Sequence, residues 1–288
     1  MQTNGTPVRI RHFTDPMCPF AFAAERQRLR LDWLYGDQVG WTTHMVVLSE
    51  TPNPDLPGDK LAAGRRMLHE RYGMPMAWTP PPEPAASVDA CRAVVAARLR
   101  SEPQATRLLR RLRVLNFAGR SLGDPETIAQ GATEAGLDPE ELRAWAGEPA
   151  TEQALREDMR AARSPSPASR AQDYKLGGPA EERRYTCPSY ELERSAPAPA
   201  DWATAARVDL PGFRPVEAYE AAIANLAPEL ARRPDPQGVE QVLEWAGMPL
   251  ATAEVAAVAD RPPADVREEL GRTARFEPVG ADGYWSRA

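Results

Sequence analysis

Cys18 lies in the stretch "DPMCPFAF", immediately before a Pro-aromatic pair, where a strand-like segment gives way to a helix-like one. A thiol at a helix start feels the positive end of the helix dipole and unpaired N–H groups. Both favour the thiolate, which is the nucleophilic form. In a dithiol redox motif a second cysteine would follow three positions later, but that position is Ala21. A mixed disulfide on Cys18 therefore has no partner within the motif to resolve it by internal attack. What remains is monothiol chemistry: exchange with a small thiol, covalent addition to an electrophile, or thiol-assisted isomerisation.

Cys91, in "VDACRAVVAAR", falls on an apolar helical face and reads as core. Cys187, in "TCP", reads either as a small buried side chain or as a second functional thiol. Three scattered cysteines do not make a disulfide framework. No metal site is expected. His12, His44 and His69 form no ligand-spaced pair, and two thiols alone lack a third ligand. His44, on a strand-like segment, reads as a residue that approaches the thiol or as a satisfied strand histidine. Phe20, Phe22 and Trp78 are candidates to line an apolar pocket beside Cys18, and each reads equally as core. The arginines of "RLLRRLR" suit a solvated helix face.

These residues are carried by 288 positions, enough for one large domain with an insertion or for two domains. Hydrophobic residues at 42% and charged residues at 26% are ordinary for a globular protein. A net charge of −6 argues against general affinity for nucleic acid or an anionic membrane. No apolar run reaches the ~18 residues of a membrane span, and the N-terminal stretch has no signal-peptide core, so a cytoplasmic location is expected. Lysine occurs only at Lys60 and Lys175, and this preference for arginine, with 30 prolines, suggests a high-GC genome.

The elements follow from periodicity. Val8–Asp15 reads as a strand, "FAFAAERQRLRLDWLYG" as one helix closed by Gly36, and Val39–Glu50 as a second strand parallel to the first. A helical block runs from about Gly58 to Arg163, with Ser87 as an N-cap. "SPSPASRAQDYKLGGPAEE" reads as a loop, "RYTCPSYELERS" and "ARVDLPGF" as paired strands, and "RPVEAYEAAIANLA" as a closing helix. This order predicts an α/β protein: a thioredoxin fold, residues 1–57 and 180–232, with a large all-helical insertion, residues 58–179. Residues 235–288 read as three short helices and a β-hairpin turning at Asp282-Gly283, a small winged-helix-like unit. That unit has ten acids against five arginines, the wrong sign for binding phosphate.

With these elements in place the chain resembles the DsbA-like thioredoxin-fold family, the group of FrnE-type oxidoreductases, 2-hydroxychromene-2-carboxylate isomerases and kappa-class glutathione transferases. "TDPMCPF" resembles the strand-end Cys-Pro-aromatic motif, "GMPMAWTPPPEPAASVDACRAV" the entry to the inserted helices, "TCPSYELE" the cis-proline and its strand, and "GFRPVEAYEAAIANL" the closing helix. Together they frame residues 7–230. The resemblance implies that Cys187, before a cis-Pro188, faces Cys18 and that Pro19, Phe20, Thr186, Pro188, His44 and Trp78 contact substrate. Cys187 is then a distant resolving thiol or packing. The oxidoreductases carry Cys-Pro-Trp-Cys, and the isomerase and transferase branches typically place Ser where this chain has Cys18, so the resemblance does not choose among them.

Two readings result. The first is an enzyme using Cys18 as a lone nucleophile, with Cys187 as the second catalytic candidate, in thiol-disulfide exchange, transferase or isomerase chemistry on a small molecule or a low-molecular-weight thiol adduct. No bound cofactor is expected; mycothiol or glutathione is the candidate cosubstrate. No nucleic-acid or membrane partner is expected, and a homodimer is compatible. The second reading is a catalytically silent module that binds a ligand or a protein.

Overall fold

The structure is a computed structural model and describes residues 6–52, 58–81, 84–195 and 206–288. Its elements begin with β1 (Val8–Thr14), α1 (Pro19–Ala23), α2 (Glu25–Tyr35) and β2 (Val39–Met45). The helices α3 (Gly58–Tyr72), α4 (Val88–Arg100), α5 (Glu102–Phe117), α6 (Pro125–Glu134), α7 (Pro139–Ala146), α8 (Pro149–Ala162) and α9 (Pro167–Arg170) follow. Then come β3 (Leu176–Gly177), β4 (Arg184–Tyr185), β5 (Ser189–Arg194), β6 (Arg207–Leu210) and α10 (Val216–Leu226). The chain closes with α11 (Val239–Ala246), β7 (Leu250–Ala251), α12 (Thr252–Ala259), α13 (Pro263–Thr273), β8 (Ala274–Val279) and β9 (Asp282–Arg287).

The main sheet has the order β2-β1-β5-β6. β1 runs parallel to β2, starting from Val8 opposite Val39, and antiparallel to β5, while β6 pairs antiparallel with β5. This is the thioredoxin-like arrangement of mixed helix and sheet, with additional helices and a small C-terminal sheet unit. Val8, Ile10, Phe13 and Thr14 of β1 are all buried, as befits a strand covered on both faces. One core cluster joins this sheet to α2, α10 and the C-terminal helices through Ile10, Leu31, Leu34, Leu192, Ile223, Val255 and Val258. A second fills the α4–α8 bundle around Val94, Leu108, Leu112 and Leu155. Asp124 and Asp138 start α6 and α7 as side-chain N-caps.

Several expectations need correction. The helix expected from residue 20 to 36 is two, α1 and α2, because Ala24 ends the first and begins the second. The second strand stops at Met45, and Val47 sits at φ 52°. Past Met45 the backbone bonds to the β1 end instead: Val46 N–H donates to the Thr14 carbonyl and Leu48 N–H to the Asp15 carboxylate. "RYTCPSYELERS" is not one strand, since Pro188 has no N–H for a ladder. β4 pairs with β3 in a separate two-stranded sheet, and β5 enters the main one. The stretch read wholly as loop therefore contains α9 and β3. The C-terminal hairpin turns at Gly280-Ala281, with Val279 paired to Asp282. Gly280 is required there: its φ is +61°, and a Cβ would lie 2.2 Å from the Met76 carbonyl oxygen. The expected boundaries at residues 1 and 57, and Pro82 and Glu83 of the proline loop, lie outside the described residues.

Residues 235–288 do not stand apart from the rest. β7, β9 and β8 form their own sheet in that order, but the unit is bonded into the main body by charge. Arg110 of α5 makes a bidentate, fully buried pair with Glu254 of α12, one arm at 2.7 Å, and Glu254 also accepts the Ala251 N–H at 2.8 Å. Arg30 of α2 reaches Asp235 and the Val258 carbonyl, both at 2.7 Å. Breaking a buried pair by removing one partner costs about 3–5 kcal/mol, because it strands the other charge. Glu254→Ala is therefore expected to lower unfolding free energy by about that amount in urea titration. An unchanged midpoint would show that Arg110 finds water or another partner.

Candidate active site

Cys18 is the N-cap of α1, with extended backbone (φ −78°, ψ 116°), and Pro19 holds the first helical position. Its side chain turns inward and is 5% exposed, within a small cluster of Phe13, Ala21, Val46, Leu176, Tyr185 and Cys187 at the C-terminal end of β1. Cys187 precedes Pro188 across a cis peptide bond. All three cysteines are free.

The two thiols of the site take opposite roles. As a thiol, Cys18 donates from Sγ to the Cys187 carbonyl at 3.2 Å. As a thiolate, it accepts from the Cys187 side chain and from the Ala21 and Phe20 N–H groups. The Cys187 hydrogen bond is the strongest influence and outweighs burial, so Cys18 titrates below an ordinary cysteine. Cys187 moves the other way: burial first, then the neighbouring Cys18, push it well above the ordinary value. Of the two, Cys18 is the thiol that ionises first. α1 has only five residues, so the stabilisation is local, from one thiol and two N–H groups, rather than from a long helix dipole.

A buried carboxylate that the sequence analysis did not single out organises the loop carrying Cys18. Asp15 is fully buried. It accepts Met17 N–H on Oδ1 at 2.8 Å, and Leu48 N–H at 2.8 Å and the Ser87 hydroxyl at 2.7 Å on Oδ2. Ser87, expected as an N-cap of α4, makes no side-chain cap and serves this carboxylate instead. Cys91 Sγ lies 3.5 Å from the same oxygen. Burial and Asp15 hold the Cys91 thiol well above its usual range, so it is an inert core residue. The available signal was the Asp-Pro-Met-Cys spacing, since an Asp side chain bonds the backbone N–H two residues on in an Asx turn.

The remaining candidates separate in space. Two cavities adjoin the thiols, and Phe20, 40% exposed, lines both. A cleft of about 1130 Å³ is lined by Thr186 and Cys187 on one side and by α12 and the start of α13 on the other. A mainly apolar groove of about 510 Å³ is lined by Met17, Pro19, Leu61 and Leu68. Thr186 Oγ1 donates to the Lys175 carbonyl at 2.8 Å. Trp78 is exposed under Arg66, 4.5 Å from ring centroid to guanidinium carbon, and lines neither cavity. Phe22 is core, stacked on Phe117 at 4.7 Å. His44 is bonded on both ring nitrogens, Nδ1 to Asp158 at 2.9 Å and Nε2 accepting from Arg11 at 3.3 Å. Asp158 also takes the Met45 N–H and Arg98, so His44 belongs to a β2–α8 network. Among the described residues no group of three or more His, Cys, Asp or Glu is arranged to hold a metal ion.

Residues 9–166 match the model of the DSBA-like thioredoxin domain. No match was found among curated proteins. Among solved structures, a candidate protein disulfide isomerase from Nitrosomonas europaea is similar over 75% of this chain and 95% of its own, with 15% identity and a TM-score of 0.56. A candidate DsbA oxidoreductase from Streptomyces coelicolor is similar over 80% of this chain and 93% of its own, with 21% identity and a TM-score of 0.55.

Because the Cys187 thiol is the first cause of Cys18's lowered value, Cys187→Ala is expected to move the midpoint of Cys18 alkylation rate against pH upward. Iodoacetamide kinetics with mass mapping of the Cys18 peptide would read this. An unmoved midpoint would assign the shift to the α1 N–H groups alone.

Proposed function

The chain belongs to the DSBA-like thioredoxin domain family, and on that premise we propose that it is a thiol-dependent oxidoreductase acting on a small disulfide or a low-molecular-weight thiol adduct. The observation that carries the reading is the meeting of two free thiols, Cys18 at the start of α1 and Cys187 before Pro188, with Cys18 Sγ 3.2 Å from the Cys187 carbonyl; their pKa directions, Cys18 down and Cys187 up, agree with it. Cys18 thiolate attacks one sulfur of the substrate disulfide. The Cys18–S bond forms, the substrate S–S bond breaks, and the leaving thiolate takes a proton from water or from the Cys187 thiol. The mixed disulfide is then resolved in one of two ways. Cys187, once deprotonated, attacks Cys18 and releases the second half as thiol, leaving a Cys18–Cys187 disulfide for external thiols to reduce. Alternatively, an external low-molecular-weight thiol attacks the adduct directly. Both routes need a reducing compartment, the cytoplasm, to return Cys18 and Cys187 to thiols.

In this reading Pro19 and Phe20 shape the entrance, Thr186 and Pro188 present the loop opposite, and His44 and Trp78 act outside the reacting centre. The division proposed with this reading is a thioredoxin fold, its helical insertion, and residues 235–288 as a winged-helix-like unit packed on the thioredoxin core. The helix-strand-helix-helix-strand-strand order of that unit supports the comparison, and its excess of acids argues for a wall of the active-site cleft rather than a nucleic-acid reader.

The deep burial of Cys18 is the observation that favours the other reading, a silent binding module. One experiment decides between them. Reduced protein is mixed with glutathione disulfide, quenched with acid and weighed intact, with peptide mapping of the modified cysteine. The enzyme reading expects an adduct on Cys18 that forms faster than on the same cysteine in urea and is absent in Cys18→Ser. Cys187→Ala is expected to accumulate more of it. Reaction no faster than in the unfolded chain would leave a binding module.

A further inference from the structure

The cleft beside Cys187 has a charge opposite to that of the whole protein. Among the described residues six cationic side chains and three carboxylates line it, in a chain of net charge −6. Three of the cations are already neutralised: Arg30 by Asp235 and Asp260, Arg232 by Glu220, and Arg261 by Glu269. Arg26, Arg71 and Lys175 have no ion pair or side-chain hydrogen bond among the described residues.

Two of these three share one aromatic ring. The Arg26 and Arg71 guanidiniums each lie 5.3 Å from the centroid of the Tyr72 ring. Arg26 Nε is buried without a hydrogen-bond partner, and burial disfavours its charge, with Glu217 as the carboxylate nearest in effect. Two like charges held over one ring, one of them partly desolvated, cost free energy that a bound anion would offset. Lys175 ties this charge to the thiols. Its carbonyl accepts the hydroxyl of Thr186, the residue before Cys187, and its side chain packs over Gly212, where a Cβ would lie 3.2 Å from Lys175 Cδ.

We propose that Arg26, Arg71 and Lys175 form a subsite for the anionic part of a low-molecular-weight thiol, whose sulfur is thereby presented to Cys18 past Phe20 and Cys187. The inference rests on the thiol-exchange reading above and adds the substrate's charge. Planar guanidiniums take carboxylate or phosphate oxygens through paired N–H donors, so glutathione, with carboxylates, and coenzyme A, with phosphates, satisfy the subsite. Mycothiol, which carries neither, does not.

The test compares second-order rates of Cys18 adduct formation with glutathione disulfide, coenzyme A disulfide and neutral 2-hydroxyethyl disulfide, each divided by its rate with a free model thiol. At least one anionic disulfide is expected to exceed the neutral one, and the better of the two identifies carboxylate or phosphate as the natural anion. In Arg26→Gln/Arg71→Gln the anionic-to-neutral ratio is expected to fall about tenfold or more, the effect of losing charge-assisted hydrogen bonds. Lys175→Gln should lower the ratio less. Should the double variant fold poorly, wild-type protein at rising ionic strength gives an independent reading, since salt weakens an anionic preference and leaves a neutral reagent alone. Equal normalised rates for all three disulfides, insensitive to salt, would overturn the subsite and leave the exchange activity standing. No adduct on Cys18 with any of them would instead overturn the exchange reading.

Discussion

The contact between two buried free thiols, Cys18 and Cys187, sets the character of this protein. Cys18 caps a five-residue helix and Cys187 stands before a cis-proline, and neither environment alone makes a reactive thiol. Burial raises the pKa of both. Placed together, they divide the cost. The Cys187 thiol lowers the pKa of Cys18 and Cys18 raises that of Cys187, so Cys18 is the one of the pair that ionises first. Where a dithiol helix motif would hold its second cysteine this chain has Ala21, and the thiol beside Cys18 is instead Cys187, distant in sequence but adjacent in space.

The rest of the fold holds that pair in place. β1 ends beneath it, and the Asp15 carboxylate gathers the N–H groups of Met17 and Leu48 and the Ser87 hydroxyl, fixing the Cys18 loop to the β2 exit and to the start of α4. The same negative charge opposes ionisation of Cys18, so the pair must overcome the group that positions it. Farther out, Arg110–Glu254 and Arg30–Asp235 lock the C-terminal helices against α5 and α2. That docking closes one side of the cleft and brings the Ala256–Pro263 segment opposite Thr186 and Cys187.

Much of this was legible in the residue order. Alternating apolar residues in Val8–Thr14, Pro19 after Cys18, and the Asp-Pro starts of α6 and α7 are local signals, and local physics placed those elements. The family resemblance likewise rested on Cys18 and the Thr-Cys-Pro stretch. Features set by tertiary contact were hidden. Ser87 has the residue type of an N-cap, yet its hydroxyl is better satisfied by a buried carboxylate 72 positions away. Asp282-Gly283 is the stronger turn dipeptide, but Gly280 alone tolerates the Met76 backbone at its place in the hairpin. Arg26 and Arg71 gave no sign of meeting at one ring, because nothing in sequence spacing relates the first turn of α2 to the last turn of α3.

Which of the two sulfurs ionises first is read site by site. With 13C at the cysteine Cβ positions, a pH titration by NMR follows Cys18, Cys91 and Cys187 separately, each assigned by its alanine variant. The expected result is that the Cys18 resonance moves first, at a pH below that of an ordinary cysteine, while Cys187 and Cys91 remain protonated through that range. Ionisation of Cys187 before Cys18, or of Cys18 at or above the ordinary value, would contradict it.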